Sequence, residues 1–319
     1  MNAAVTASAI AEAESAARER PTDFTSLENL GSAYLEAGRQ DEARIAFQRA
    51  IALNPGTAIA YIKIGWIHQQ IGTIQQAVDA YEKAIVLDPH VLLSYEGLGW
   101  LYISKLADFE RAIQAYERGL AVNPSNALLT SFLGSTYARM GQMGKALEIL
   151  EQSAKKYPAQ IYAPSWLSYL YFRLKRLDEA AASCRLEIEI KEGAHSPHRV
   201  LGFIYHLLGR NGDALAELER AVDLESHDYE ARAALAKVYR ENGDLAAAEV
   251  QYNTGRELSL EDREYGLACF HAVYGEAEKA LDLLETASAK SQITPGWLRI
   301  DPELYFIQDE PRFQALIAK

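Results

Sequence analysis

Residues 58–91 read AIAYIKIGWIHQQIGTIQQAVDAYEKAIVLDPHV. Apolar side chains recur every three or four positions in each half, the period of an amphipathic helix. Ile71-Gly72-Thr73 separates the halves, and Pro89 closes the second. Glycine suits the left-handed residue that ends a helix, and proline cannot continue one because it lacks the N–H and clashes with the preceding turn. The stretch is therefore two helices joined by a tight turn. Gly65 and Ala77 are small where the two helices would cross, and Tyr81 is large enough to fill the space beside the crossing.

The same pattern returns at a spacing of 34 residues. It begins with Leu27, Leu30, Gly31, Tyr34, Ala43, Phe47, Ala50 and Pro55, and the stretch above supplies Tyr61, Ile64, Gly65, His68, Ala77, Tyr81, Ala84 and Pro89. A third unit has Tyr95, Leu98, Gly99 and Tyr102, then slips by one residue to Ala112, Tyr116, Gly119 and Pro124. A fourth has Leu133, Gly134, Tyr137, Ala146, Leu150, Ser153 and Pro158. Weaker copies follow at Leu167–Cys184, Leu201–Ala221 and Leu235–Tyr252, and an eighth at Leu267–Ala287 is about two residues out of phase. The first-to-second-helix turns carry Gly38, Gly72, Gly141, Gly209, Gly243 and Gly275, while units five to seven lack the closing proline.

This recurrence resembles the tetratricopeptide-repeat (TPR) family, whose unit of 34 residues carries W-x2-L-G-x2-Y, then A-x3-F, then P. The resemblance covers roughly residues 24–290 and resembles bacterial multi-repeat members. It implies an all-α, right-handed superhelical solenoid of about seven or eight helix-turn-helix repeats. The expected repeats run 24–57, 58–91, 92–126, 127–160, 161–194, 195–228, 229–260 and 261–294, together an array over 24–294. A solenoid must cover its terminal apolar faces. Residues 1–23 read as an N-terminal capping helix, and 295–319 as a C-terminal capping segment in which Leu304, Phe306, Phe313, Leu316 and Ile317 dock on the last repeat.

At 100° per residue, one face of each first helix (helix A) packs and a second face points away. In the TPR family that second face lines a concave groove. Its ninth position reads Ser32, Trp66, Trp100, Ser135, Tyr169, Phe203, Lys237, and neighbours on the face include Ile59, Ile62, Leu93, Ile103, Tyr162 and Phe172. An apolar stripe with aromatic anchors is the character of an interaction hot spot. Repeats one to three add Glu28, Glu36 and Glu96 to this face and no base; repeats four to seven add Arg139, Arg173, Arg199, Lys237 and Arg240 against Glu230 and Glu241. The expected partner site is Trp66, Trp100, Tyr169, Phe203, Ile62, Tyr162 and Phe172, with Arg139, Arg173 and Arg199 orienting an acidic feature of a protein or peptide. Some family members clamp a terminal carboxylate with Lys and Asn. Here Glu28 and Ser32 stand where those residues are wanted, which disfavours that mode.

Enzymatic chemistry finds no footing. There is no phosphate-cradling glycine motif, and His195-x2-His198 with His206 is too sparse for a zinc site. No cofactor or metal is expected. Cys184 falls on a core position and Cys269 on the groove face, with no CxxC, as in a reducing compartment. A formal charge of −12 disfavours nucleic acid and anionic membranes. The first residues show no basic n-region or sustained apolar run, so the expected location is the cytoplasm. Nothing indicates a homo-oligomer. The reading is a non-catalytic scaffold or adaptor. The alternative is an accessory or regulatory subunit of an enzyme complex that binds through its convex face or caps.

Overall fold

The computed structural model describes residues 3–260, 263–290 and 293–318. Residues 1–2 of the expected N-terminal cap, residue 319 and the start of the repeat expected at 261 lie outside them. Among the described residues the regular elements are all helical. After α1 (Ala3–Glu19) come eight helix pairs: α2 (Phe24–Glu36) with α3 (Gln40–Leu53), α4 (Ala58–Gln70) with α5 (Ile74–Leu87), α6 (Leu93–Leu106) with α7 (Phe109–Val122), and α8 (Ala127–Arg139) with α9 (Met143–Lys156). The series continues with α10 (Tyr162–Arg173) and α11 (Leu177–Ile190), α12 (His195–Leu207) and α13 (Asn211–Leu224), α14 (Tyr229–Glu241) and α15 (Leu245–Ser259), and α16 (Arg263–Tyr274) and α17 (Ala277–Ala289). The C-terminal segment holds α18 (Pro295–Leu298), a 3-10 turn (Pro302–Ile307) and α19 (Pro311–Ile317).

Local chemistry sets these boundaries. Asp23, Asp108, Asp228 and Asp244 each accept a hydrogen bond from the backbone N–H three residues on, at the starts of α2, α7, α14 and α15. Pro55, Pro89, Pro124 and Pro158 lie two residues beyond the ends of α3, α5, α7 and α9, where no helical hydrogen bond is lost. The turns within the pairs use the expected glycines at positive φ; in the third and fifth pairs Ala107 (φ 50°) and Lys175 (φ 61°) take that place instead. A Cβ in the left-handed region costs about 1 kcal/mol or more, so these two turns are held by the helices on either side.

The chain forms two compact units, residues 1–129 and 130–319, with the division inside α8. In the first, α1 sets Ala17 against Leu27, Leu30, Ala46 and Ala50, covering the outer face of the first pair. The crossings are as the spacing predicts. Phe47, Tyr81 and Tyr116 are buried against the glycines of the partner helices. A Cβ built on Gly99 would lie 2.3 Å from the Tyr116 ring, and one on Gly31 2.8 Å from that of Phe47. In the second unit Gly202 meets Leu218 in the same way, at 2.5 Å.

Gly99→Ala should therefore lower stability by about 1–3 kcal/mol through overpacking, although alanine is the better helix former. Gly144→Ala, whose Cβ would meet no atom within 4 Å, should leave stability unchanged or raise it by up to about 1 kcal/mol. Urea denaturation of both variants measures the contrast; equal effects would refute the close-crossing account.

Candidate functional site: one open face and one filled from within

The A helices of unit one, α2, α4 and α6, present the stripe openly. Trp66 is 40% exposed and Trp100 45%, with Ile59 and Leu93 exposed beside them. Ile62 and Ile103, expected on the same face, are buried instead. Glu28 and Glu96 are half-buried at the edge of the stripe and Glu36 is exposed. Burial raises the Glu96 carboxyl above its ordinary value. Large apolar side chains held in water by a rigid scaffold, rimmed by acids, have the makeup of a protein-interaction surface.

The second unit differs. Phe172 and Phe203 are 0% and 1% exposed, because the C-terminal segment lies over the A helices there. The Tyr305 ring sits 4.4 Å from that of Phe172, and the Phe306 ring 5.6 Å from that of Phe203 in an edge-on contact. Lys237 Nζ approaches the Phe306 ring to 4.8 Å, and the Arg173 guanidinium lies 5.7 Å from the Phe313 ring. The Arg139 guanidinium is 4.6 Å from the Trp297 ring and 5.9 Å from that of Trp166. Tyr169 is half-buried, its hydroxyl 2.5 Å from Ser196 Oγ, whereas Tyr162, at the start of α10, remains exposed.

The segment's acids complete the contact. Arg199 is paired with Asp228 at 3.1 Å, Glu230 at 3.2 Å and Glu303 at 2.9 Å. Lys175 on the rim holds Asp309 at 2.7 Å. Arg299 donates a hydrogen bond to the Arg139 carbonyl at 2.9 Å. The bare basic half-groove expected from helix-face charges is thus absent: its bases meet carboxylates and rings from the same chain. Burial pushes the Arg173 guanidinium down to about 10. Around Arg199, one guanidinium faces three carboxyls. Arg199, His195 and the Ala231 N–H hold Asp228 well below its ordinary value, while burial raises Glu303 far above its own and Glu230 to about 8.

The segment also caps. Leu304, Ile307, Phe313 and Leu316 pack with Ala268, Leu281 and Leu284 of the last pair, and Ile317 is partly buried against them. Phe306, expected in that group, turns instead to Phe172 and Phe203. Cys269, expected as a contact residue of the groove face, is buried within the cap's core. His195 and His198 make separate hydrogen-bond contacts, His195 Nδ1 with Asp228 at 2.9 Å and His198 Nδ1 with Glu217 at 2.6 Å. Among the described residues no helix is long and apolar enough to cross a membrane.

Between α10, α12, α14, α16 and the segment lies a cavity of about 640 Å³, lined by Trp166, Tyr169, Tyr229, Tyr265, Trp297 and the charged groups around Arg199. Asp301, at its wall, accepts a hydrogen bond from Tyr265, whose hydroxyl in turn accepts one from Trp297 Nε1 at 2.8 Å. Asp301, Glu303, Phe306 and Trp297 were not identified as site residues from sequence. The signal available was complementarity: an acidic, aromatic segment matching a basic, aromatic face.

Profiles described as "Tetratricopeptide repeat" match residues 24–57, 58–91, 104–161, 133–195 and 206–269. RNA polymerase II-associated protein 3 of Mus musculus is 25% identical over 182 residues, which is 51% of this chain and 27% of that protein; its Homo sapiens counterpart is 23% identical over 146 residues, 46% and 22%. The chain spans about a quarter of the length of these relatives. Among solved structures, the APC/C hetero-tetramer Cut9–Hcn1 superposes with a TM-score of 0.59 at 17% identity over 87% of this chain and 52% of that one. A tetratricopeptide-repeat protein of Parabacteroides merdae gives 0.54 at 17% over 74% and 93%. These two likenesses show the fold.

In Glu230 and Glu303 the folded chain holds protons that the unfolded chain releases above about 4.5, the ordinary glutamate value. The stability they contribute is complete below that pH and is lost as pH rises, for Glu230 through about 8. Glu230→Gln should remove part of that loss. The difference in unfolding free energy, wild type minus variant, should fall by about 1 kcal/mol per pH unit between pH 5 and about 8. Urea titrations across that range measure it, and a difference that is flat or rises would show that Glu230 is ionised in the native state.

Proposed function

Because the chain belongs to the tetratricopeptide-repeat family, whose members are generally non-catalytic scaffolds for proteins or peptides, we propose that it holds a polypeptide partner on the open A-helix face of its first unit. The observation that carries this reading is the pair Trp66 and Trp100, one structural position on successive repeats, both substantially exposed beside Ile59 and Leu93. The acids Glu28, Glu36 and Glu96 on this face suit a partner with apolar side chains and a basic feature.

The acidic feature expected against Arg139, Arg173 and Arg199 belongs to a second reading. In the second unit the C-terminal segment already supplies acidic side chains, Glu303 to Arg199 and Asp309 to Lys175. An acidic, aromatic partner would bind there by displacing the segment. The segment's own chemistry favours that reading, because it is a worked example of what the face accepts.

Peptides selected from a random library on the purified chain test the first reading. Trp66→Ala and Trp100→Ala should each weaken the selected peptides by about 2 kcal/mol or more, as loss of a hot-spot aromatic does, with little loss of stability. If instead both variants unfold while the folded fraction binds normally, the two tryptophans are core and the reading fails. The second reading has its own test. Phe306→Ala should loosen the segment and strengthen an acidic, aromatic peptide several-fold, an effect that Arg173→Ala would reverse. No gain on Phe306→Ala would exclude displacement.

A further inference from the structure

The cavity of about 640 Å³ in the second unit is within the usual size range of small-molecule sites. Five aromatic residues contribute to its wall: Trp166 and Tyr169 from α10, Tyr229 from α14, Tyr265 from α16 and Trp297 from α18. The carboxyl groups Glu230, Asp301 and Glu303 line it as well, with Asp228 directly behind. Against these stand Arg199 and Arg263.

Arg199 is not available to an anionic guest. Its two terminal nitrogens are engaged by Asp228, Glu230 and Glu303, all within 3.2 Å, and only the buried Nε lacks a partner. The site therefore has more carboxyl groups than cations, and burial raises both Glu230 and Glu303, so that the empty cavity keeps protons on groups that a positive guest would let ionise. The negative face of an aromatic ring attracts cations, most strongly where water is excluded. Two of the wall's rings already do this for the chain itself, since Arg139 lies over Trp297 at 4.6 Å and near Trp166 at 5.9 Å. Arg139 is buried and does not line the cavity, whose wall keeps Tyr169, Tyr229 and Tyr265 together with the Glu230 carboxyl.

We propose that this aromatic, carboxyl-lined cavity is a binding site for a small organic cation with an ammonium or quaternary ammonium head group. The rings would surround the head group and Glu230 would supply the counter-charge. Because Trp297, Asp301 and Glu303 come from the C-terminal segment, the site is complete only while that segment is docked. Occupancy of the cavity would accordingly favour the docked state.

The test uses the full chain with Trp66→Phe and Trp100→Phe, which leaves Trp166 and Trp297 as the only tryptophans of the four. Choline is titrated against tryptophan fluorescence, beside 3,3-dimethylbutan-1-ol, its uncharged isostere. Nα-acetyl-lysine methylamide forms a third arm, standing for a side chain offered by a polypeptide. Saturable binding of choline, with the isostere at least tenfold weaker, is the expected result, and choline binding tighter than the lysine derivative assigns the site to a free small molecule. Glu230→Gln, which keeps the shape and removes the charge, should weaken choline at least tenfold, and Tyr229→Leu several-fold. Isothermal titration calorimetry of the unsubstituted chain repeats the choline and isostere arms with the native aromatic set. Equal binding of choline and its isostere would make the cavity a merely apolar pocket and overturn the proposal. So would undiminished choline binding by folded Glu230→Gln, or the absence of saturable binding by either cation.

Discussion

A guanidinium removed from water must be surrounded by carboxyl groups, or the site that buries it is destabilised by several kcal/mol. Arg199 meets that constraint with groups from two elements. Asp228 and Glu230 come from the start of α14, and Glu303 from the C-terminal segment. Asp228 has a further task, capping α14 through the Ala231 N–H at 2.9 Å. One ion cluster thus sets the start of a repeat helix, joins it to α12 and fixes where the segment lies. The rings of Tyr305 and Phe306 then fall on Phe172 and Phe203, and such aromatic pairs contribute about 0.5–1.5 kcal/mol each beyond their buried area.

The consequence is a division of labour along a repeating scaffold. Each repeat places a side chain at the same ninth position of helix A, yet the fate of that side chain depends on what covers it. Trp66 and Trp100 stand in solvent, whereas Phe203 is buried under Phe306. Similar residues at equivalent sites therefore act as surface in one unit and as core in the other. Repetition specifies the backbone; the segment decides which faces stay open.

The helix pairs were legible in sequence because their determinants are local and recur: small residues at the crossing, an aromatic or Leu beside it, proline after the second helix. Even the exceptions follow the backbone, as Ala107 and Lys175 occupy the left-handed turn positions where other repeats have glycine. The stripe was legible as an unusual row of aromatics, and so was the apolar character of the C-terminal segment. Its path was not. Glu303 meets Arg199 across about a hundred residues of chain, and Phe306 chooses Phe203 over the last repeat for reasons that lie in shape and ion pairing, which no period encodes. Ile62 illustrates the finer limit: helical angle put it on the outward face, but in the fold it is buried.

The segment's covalent attachment carries a quantitative consequence. A ligand tied to its own receptor by a short connection acts at an effective concentration of the order of millimolar, whatever the amount of protein. Any free polypeptide that uses the same face must outcompete that local supply, so its apparent affinity is lowered by the factor 1 + K, with K the docking equilibrium constant. If a partner binds by displacing the segment, the second unit would act as a threshold device. Weak, abundant competitors are screened out, and the threshold is tuned by the strength of a few contacts, among them Glu303 on Arg199 and Phe306 on Phe203.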